Sequence, residues 1–215
     1  MLLVVGLGNP GRAYAGHRHN VGFMTVDALA AKLGAGPFRA KFAGEMVRVE
    51  IAAREAVLLK PMTFMNDSGR SVRAATVFFK LAPEDVLVIH DELDLPFGTV
   101  RLKRCGGHAG HNGLRSLVAH LGTPDFCRIR IGIGRPPEGF AGDGADFVLS
   151  PFPAAERDEL TRYLRTAAEI VLDIAARGFE AAMNQFNVRP GRKRRGEPDS
   201  PSGSGEPGAE GPPTP

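Results

Sequence analysis

Apolar residues change their spacing several times along the chain, and each change predicts an element. The run ending at Val4 and Val5 reads as a first strand that opens into a glycine-rich turn. Val26, Leu29, Ala30 and Leu33 recur at helical spacing and predict a helix over 20–33. Over 46–51 the pattern alternates, with Val47, Val49 and Ile51 on one side and Arg48 and Glu50 on the other. This is a half-buried strand, pairing through a short turn with 56–59. The nearly continuous apolar run 85–89 predicts a central strand covered on both faces, whose end delivers His90, Asp91 and Glu92. Helices are expected over 68–81 and 112–122. A long one over 153–176 carries Leu160, Tyr163, Leu164, Ala167, Val171, Ile174 and Ala175 on one stripe, with Pro153 in its first turn and Gly178 past its end. A short helix over 180–186 closes the fold. Strands interleaved with helices give an α/β class: a single three-layer domain with a mixed twisted sheet flanked by helices. In such sheets ligands gather beyond the strand ends, which is where Asn9 and Asp91 fall.

Composition divides the chain in two. After Val188 it reads RPGRKRRGEPDSPSGSGEPGAEGPPTP, too poor in apolar residues to offset the entropy of ordering, so 1–187 is the expected folded domain and 188–215 a disordered Pro/Gly/Ser-rich tail. Arg192 to Arg195 form a basic cluster read as a solvated tail able to touch RNA. The tail holds five of the 27 basic and four of the 24 acidic residues, which leaves +2 on the rest. Any phosphate site must therefore come from local placement of cations. No segment has the apolar length of a membrane span, and two cysteines, Cys105 and Cys127, are too few for a disulfide scaffold or a zinc knuckle. A cytoplasmic protein with reduced thiols is expected.

Gly6, Gly8 and Gly11 spell G-x-G-x-x-G, but a dinucleotide-binding turn needs a helix directly after it and a second strand ending in an acid. Here the turn runs into the polar 14–20, and 26–33 reads as helix. What is left is a turn that exposes Asn9, closely followed by His19. The patterns His17-Arg18-His19 and His108-Ala109-Gly110-His111, with Asp91, Glu92 and Asp94, raise a metal-dependent hydrolase as an alternative, although neither is the helical i, i+4 pair. His120, near a helix end, is read as structural, and Cys127 as core. Without a G-x-S-x-G elbow, the favoured hydrolytic scheme is attack by water, with a His as base and an Asp to fix its tautomer. The amides of Asn9, Asn66 and Asn112 can orient water and a carbonyl, though singly Asn66 and Asn112 read as helix caps. Arg128 and Arg130 share one strand face, Arg101 and Lys103 another. If the strands are neighbours, four cations converge on a phosphate-sized patch.

Joined in order, GLGNPG at 6–11 with Tyr14 and His19-Asn20, KPMTFMNDSG at 60–69, HDELDLPFG at 90–98, GGHAGHNGL at 106–114 and RIRIGIGRP at 128–136 closely resemble bacterial peptidyl-tRNA hydrolase. The resemblance spans 1–187. It implies a peptidyl-tRNA hydrolase-like fold and a monomeric, metal-independent esterase without cofactor. Such an enzyme cleaves peptide from the 3′ end of tRNA and recycles tRNA after premature ribosomal drop-off. It implies His19 as the general base and Asp91 as the group that orients its imidazole. Asn9 would contact the peptide main chain and help reject free aminoacyl-tRNA. Tyr14, Phe64, Asn66 and Asn112 would line the tRNA 3′-end and peptide site, Met65 would pack beside them, and Lys103 and Arg130 would clamp the tRNA 5′-phosphate. Peptidyl-tRNA is the implied partner, with no membrane and no obligate protein partner. Met62, Asp67 and Cys105 occupy positions variable within the family, and the tail after Asn187 is the chief departure.

Overall fold

The computed structural model describes residues 1–187, so the tail and its basic cluster lie outside the described residues. In chain order the elements are β1 (Leu2–Gly6), α1 (Val21–Lys32), β2 (Arg39–Lys41), β3 (Gly44–Ile51), β4 (Arg54–Pro61), α2 (Ser68–Phe79), β5 (Val86–Glu92), β6 (Val100–Arg104), α3 (Asn112–Leu121), β7 (Cys127–Gly132), α4 (Gly144–Val148), α5 (Arg157–Arg177) and α6 (Phe179–Phe186). Seven strands form one sheet in the order β2-β3-β4-β1-β5-β7-β6. The central four, β4, β1, β5 and β7, run parallel, so their carboxyl ends share one edge. β2 and β3 extend one side antiparallel and β6 closes the other.

Alternate residues of each central strand feed two cores. Leu2, Val4, Leu58, Leu87, Ile89, Cys127 and Ile129 pack with α1, α5 and α6. Leu3, Val5, Val57, Leu59, Val86 and Val88 pack with α2 and α3. That is the expected three-layer arrangement, and Cys127 is core as read. Each fully buried Leu, Ile or Val stabilises the fold by about 1.5–3 kcal/mol, which makes the central sheet a rigid frame for its carboxyl edge.

The expected helices and strands form, with bounds moved by packing. β5 continues through His90, Asp91 and Glu92, all buried, instead of stopping at Ile89. The long helix starts at Arg157, after a 3-10 turn over Ala154–Glu156. β2 and α4 carry no periodic signal, since one is three exposed residues and the other only five residues long. The first turn is no dinucleotide site. A Cβ at Gly6 would collide with the Gly22 carbonyl, so these glycines let α1 press against β1. Among the described residues no helix is long and apolar enough to cross a membrane.

Candidate active site

After β1 the chain turns sharply at Gly8, where a Cβ would enter the Phe23 ring. The turn is then clasped by Asn20, whose Nδ2 donates to the Asn9 carbonyl at 2.9 Å while its Oδ1 accepts from the Asn9 amide at 3.0 Å. With its backbone fixed, Asn9 turns its side chain toward the end of β4. There Oδ1 accepts from the Met65 amide at 2.8 Å. The oxygen is thus committed and the Asn9 Nδ2 protons remain as donors. The role of Asn20 is not legible in the sequence, because its clasp joins residues eleven apart and has no local pattern.

His19 sits in a 3-10 turn before α1 and is buried. Its Nδ1 donates to Asp91 Oδ1 at 2.8 Å, which leaves Nε2 as the basic nitrogen. The same Oδ1 takes a second bond, 3.0 Å long, from His111 Nε2. His111 is the N-cap of α3, and its Nδ1 accepts from the amides of Gly113 and Leu114. That capping places its proton on Nε2, pointed at Asp91. His111 is the site residue sequence reasoning missed: the sequence offers it only as half of the 108–111 pattern, and the cap that orients its ring has no local signal. The cap reading of Asn112 is corrected with it. Asn112 is the first residue of α3, and its Oδ1 accepts from Arg115 at 2.9 Å, again leaving amide protons to donate. Asn66 lies in the 3-10 turn over Met65–Asp67 and makes no cap bond.

Burial pulls the His19 pKa down, but the charge and hydrogen bond of Asp91 push harder, and the net shift is upward from 6.5. Burial pushes Asp91 the other way; the charges of, and hydrogen bonds from, His19 and His111 outweigh it and hold the carboxyl well below its usual range. His90 differs again. Wholly buried, with Nδ1 donating to the Asp91 carbonyl at 2.7 Å and Nε2 unpartnered, it is pushed down to about 3 by burial and by neighbouring His111. It is a neutral support for the strand and not an acid or base.

Two cavities meet at His19. The larger, about 620 Å³, is lined by Asn9, Tyr14, Phe64, Asn66 and Asn112 with Met65, so every residue expected at the 3′-end and peptide site borders one space. The smaller, about 310 Å³, runs past Asp91, Glu92, His108 and His111. Ala145 and Val148 of α4 roof both. The histidine patterns that suggested a metal do not act as units. His17 packs edge-on against Tyr14, and His108 Nδ1 accepts from Gly110. His19, Asp91 and His111 come within 4.8 Å of one another, but both imidazoles spend the facing nitrogen on a single carboxylate oxygen.

The cationic strands are neighbours, with Lys103 opposite Arg128 and Arg101 opposite Arg130. Convergence of four free cations does not follow. Arg128 is buried and donates to the carbonyls of Gly106 and Gly107 at 2.5 and 2.8 Å, holding the base of the glycine loop. Arg130 is half-buried and pairs with Glu92 at 2.9 Å. Lys103 lies half-buried on the same face.

Comparison with known proteins gives one consistent result. A family model described as peptidyl-tRNA hydrolase matches residues 3–195. A protein of that name from Sorangium cellulosum is 63% identical over 201 residues, covering 93% of this chain and 90% of its own length. One from Frankia alni is 50% identical over 186 residues, covering 86% and 93%. The crystal structure of peptidyl-tRNA hydrolase from Acinetobacter baumannii superposes with a TM-score of 0.80 at 43% identity, covering 87% of this chain and 95% of that one.

Proposed function

The chain belongs to the peptidyl-tRNA hydrolase family and is an enzyme that hydrolyses peptidyl-tRNA, and from that premise we propose that His19 is the general base that turns water on the ester. The observation that carries this is the 2.8 Å bond from His19 Nδ1 to Asp91, which commits one ring nitrogen and leaves Nε2 basic on a ring that borders both cavities. Nε2 takes a proton from water as the oxygen attacks the ester carbonyl carbon, and returns it to the departing ribose oxygen. Asp91 stabilises the imidazolium between the two steps, and His111 fixes Asp91. Asn9 Nδ2 donates to the peptide main chain. Tyr14, Phe64, Met65, Asn66 and Asn112 line the cleft for the peptide and tRNA 3′ end, and Lys103 and Arg130 contact the 5′-phosphate.

An ester is activated enough for base-assisted attack, so the scheme needs neither metal nor covalent intermediate, and neither the family match nor the relatives support the metal-dependent alternative. We further infer a catalytic domain over 1–187 followed by a Pro/Gly/Ser-rich tail over 188–215, acting as a cytoplasmic monomer that recycles tRNA after premature release from the ribosome. The test is release of N-acetylaminoacyl groups from charged tRNA, with and without chelator, by the wild type and by His19→Ala. Loss of a general base costs about 10²–10⁴ in rate. The wild type should ignore chelator and the variant should fall by that amount. Near-normal turnover by His19→Ala would overturn the assignment, and chelator inhibition reversed by zinc would restore the metal reading.

A further inference from the structure

Arg18 precedes the base and takes no part in the scheme above, yet it is only 5% exposed. Its guanidinium carbon lies 4.5 Å from the ring centre of Phe147, in α4, and 4.8 Å from that of Phe152. One terminal nitrogen, Nη1, is 2.9 Å from Glu156 Oε2, but the pair is not aligned for a hydrogen bond, and Nε has no acceptor. Burying a cation this way is costly unless something compensates, and here two aromatic faces and the Glu156 carboxylate do so. The backbone follows the same path. Arg18 N donates to Ser150 O at 3.0 Å, Phe152 N donates to Gly16 O at 3.1 Å, and His17 bridges to Pro151.

These contacts join two pieces that matter together. One is the turn that carries His19. The other is α4, a five-residue helix that follows a glycine-containing loop, held at its start by the Asp143–Asp146 capping box, and the roof of both cavities. We propose that Arg18 is a positioning residue: stacked on Phe147 and Phe152 and paired with Glu156, it fixes α4 over His19 and sets how tightly the cleft grips the peptide. This rests on the reading of the larger cavity as the peptide site. Val148 and Leu149 line that cavity together with Asn9, so misplacing them weakens a long peptide more than a short acyl group. Lysine cannot replace the planar group that lies against both rings.

The experiment compares Arg18→Met with the wild type on N-acetylaminoacyl-tRNA and on tRNA carrying an acetylated tripeptide, reading kcat, KM and the pH profile. Loss of a desolvated cation–π contact is worth about a tenfold change in binding. KM should rise about tenfold for the tripeptide substrate and clearly less for the short one, with kcat and the pH midpoint retained. Should Arg18→Met not fold, Phe147→Leu and Glu156→Gln should show the same dependence on peptide length. Equal losses on both substrates, a loss confined to kcat, or no loss would overturn the proposal. A wrong assignment of the base would show separately, as turnover retained in His19→Ala.

Discussion

The Asn9–His19–Asp91 cluster and the Lys103–Arg130 strand face stand on one sheet and are held in opposite ways. In the cluster one polar atom of each side chain is committed: Asn9 Oδ1 to Met65, His19 Nδ1 to Asp91, Asp91 Oδ1 to two imidazoles. Each side chain is left with one defined capacity, a donor at Asn9 and a basic nitrogen at His19. On the strand face Arg128 is spent on loop carbonyls and Arg130 is partly neutralised by Glu92, so this face presents only a modest field. Chemistry demands fixed geometry, whereas attraction of a phosphate tolerates a degree of slack. Damage to the cluster should therefore cut turnover steeply, and damage to the strand face should change binding by degrees.

The sharpest way to break the contrast is Asn9→Ala. Removing one partner of a buried hydrogen bond costs about 1–3 kcal/mol, up to about 10² in rate. Hydrolysis of N-acetylaminoacyl-tRNA should fall by about 10², while free aminoacyl-tRNA, which lacks the acylated nitrogen, should be impaired less. Kinetics on both substrates read this directly, and an unchanged ratio places the discrimination elsewhere.

Smaller effects are expected on the strand face. Lys103→Ala and Arg130→Ala should each weaken full-length tRNA by up to about tenfold in KM, with kcat preserved and short acylated fragments untouched. With one cation fewer on the phosphate, the slope of log affinity against log salt should shrink by about 0.7–0.9. If both substrates suffer equally, the two regions are not separable and the strand face belongs to the catalytic framework.

The contrast also explains what the sequence made legible. Asn9 and Asp91 come at the ends of apolar runs that admit one reading, and parallel strands must end at a common edge, so their placement on that edge was foreseeable. The proposed role of His19 as the base, and the choice of Lys103 and Arg130 out of four alternating cations as the clamp on the tRNA 5′-phosphate, came only from the motifs that resemble a known family. His111 stayed hidden because its meaning depends on a cap at α3 meeting a carboxylate twenty residues earlier. Arg128 misled for a related reason: alternation placed it correctly on the face with Arg130, but nothing in alternation says that Gly106 and Gly107 fold back to cover it. Likewise α4 is too short for any period, and its place comes from its capping box and from the packing of Phe147 on Arg18, Phe140 and the core.

The most direct measurement is the dependence of kcat/KM on pH for the wild type and Asp91→Asn. Only neutral imidazole can accept a proton, so activity falls as pH drops through the His19 pKa. In the wild type burial lowers that pKa and Asp91 raises it, with a net rise above 6.5. Removing the negative charge leaves burial dominant. The acid limb of Asp91→Asn should move to lower pH while its plateau falls. A plateau that falls with the midpoint unmoved, or moved upward, would contradict the pairing of His19 with Asp91.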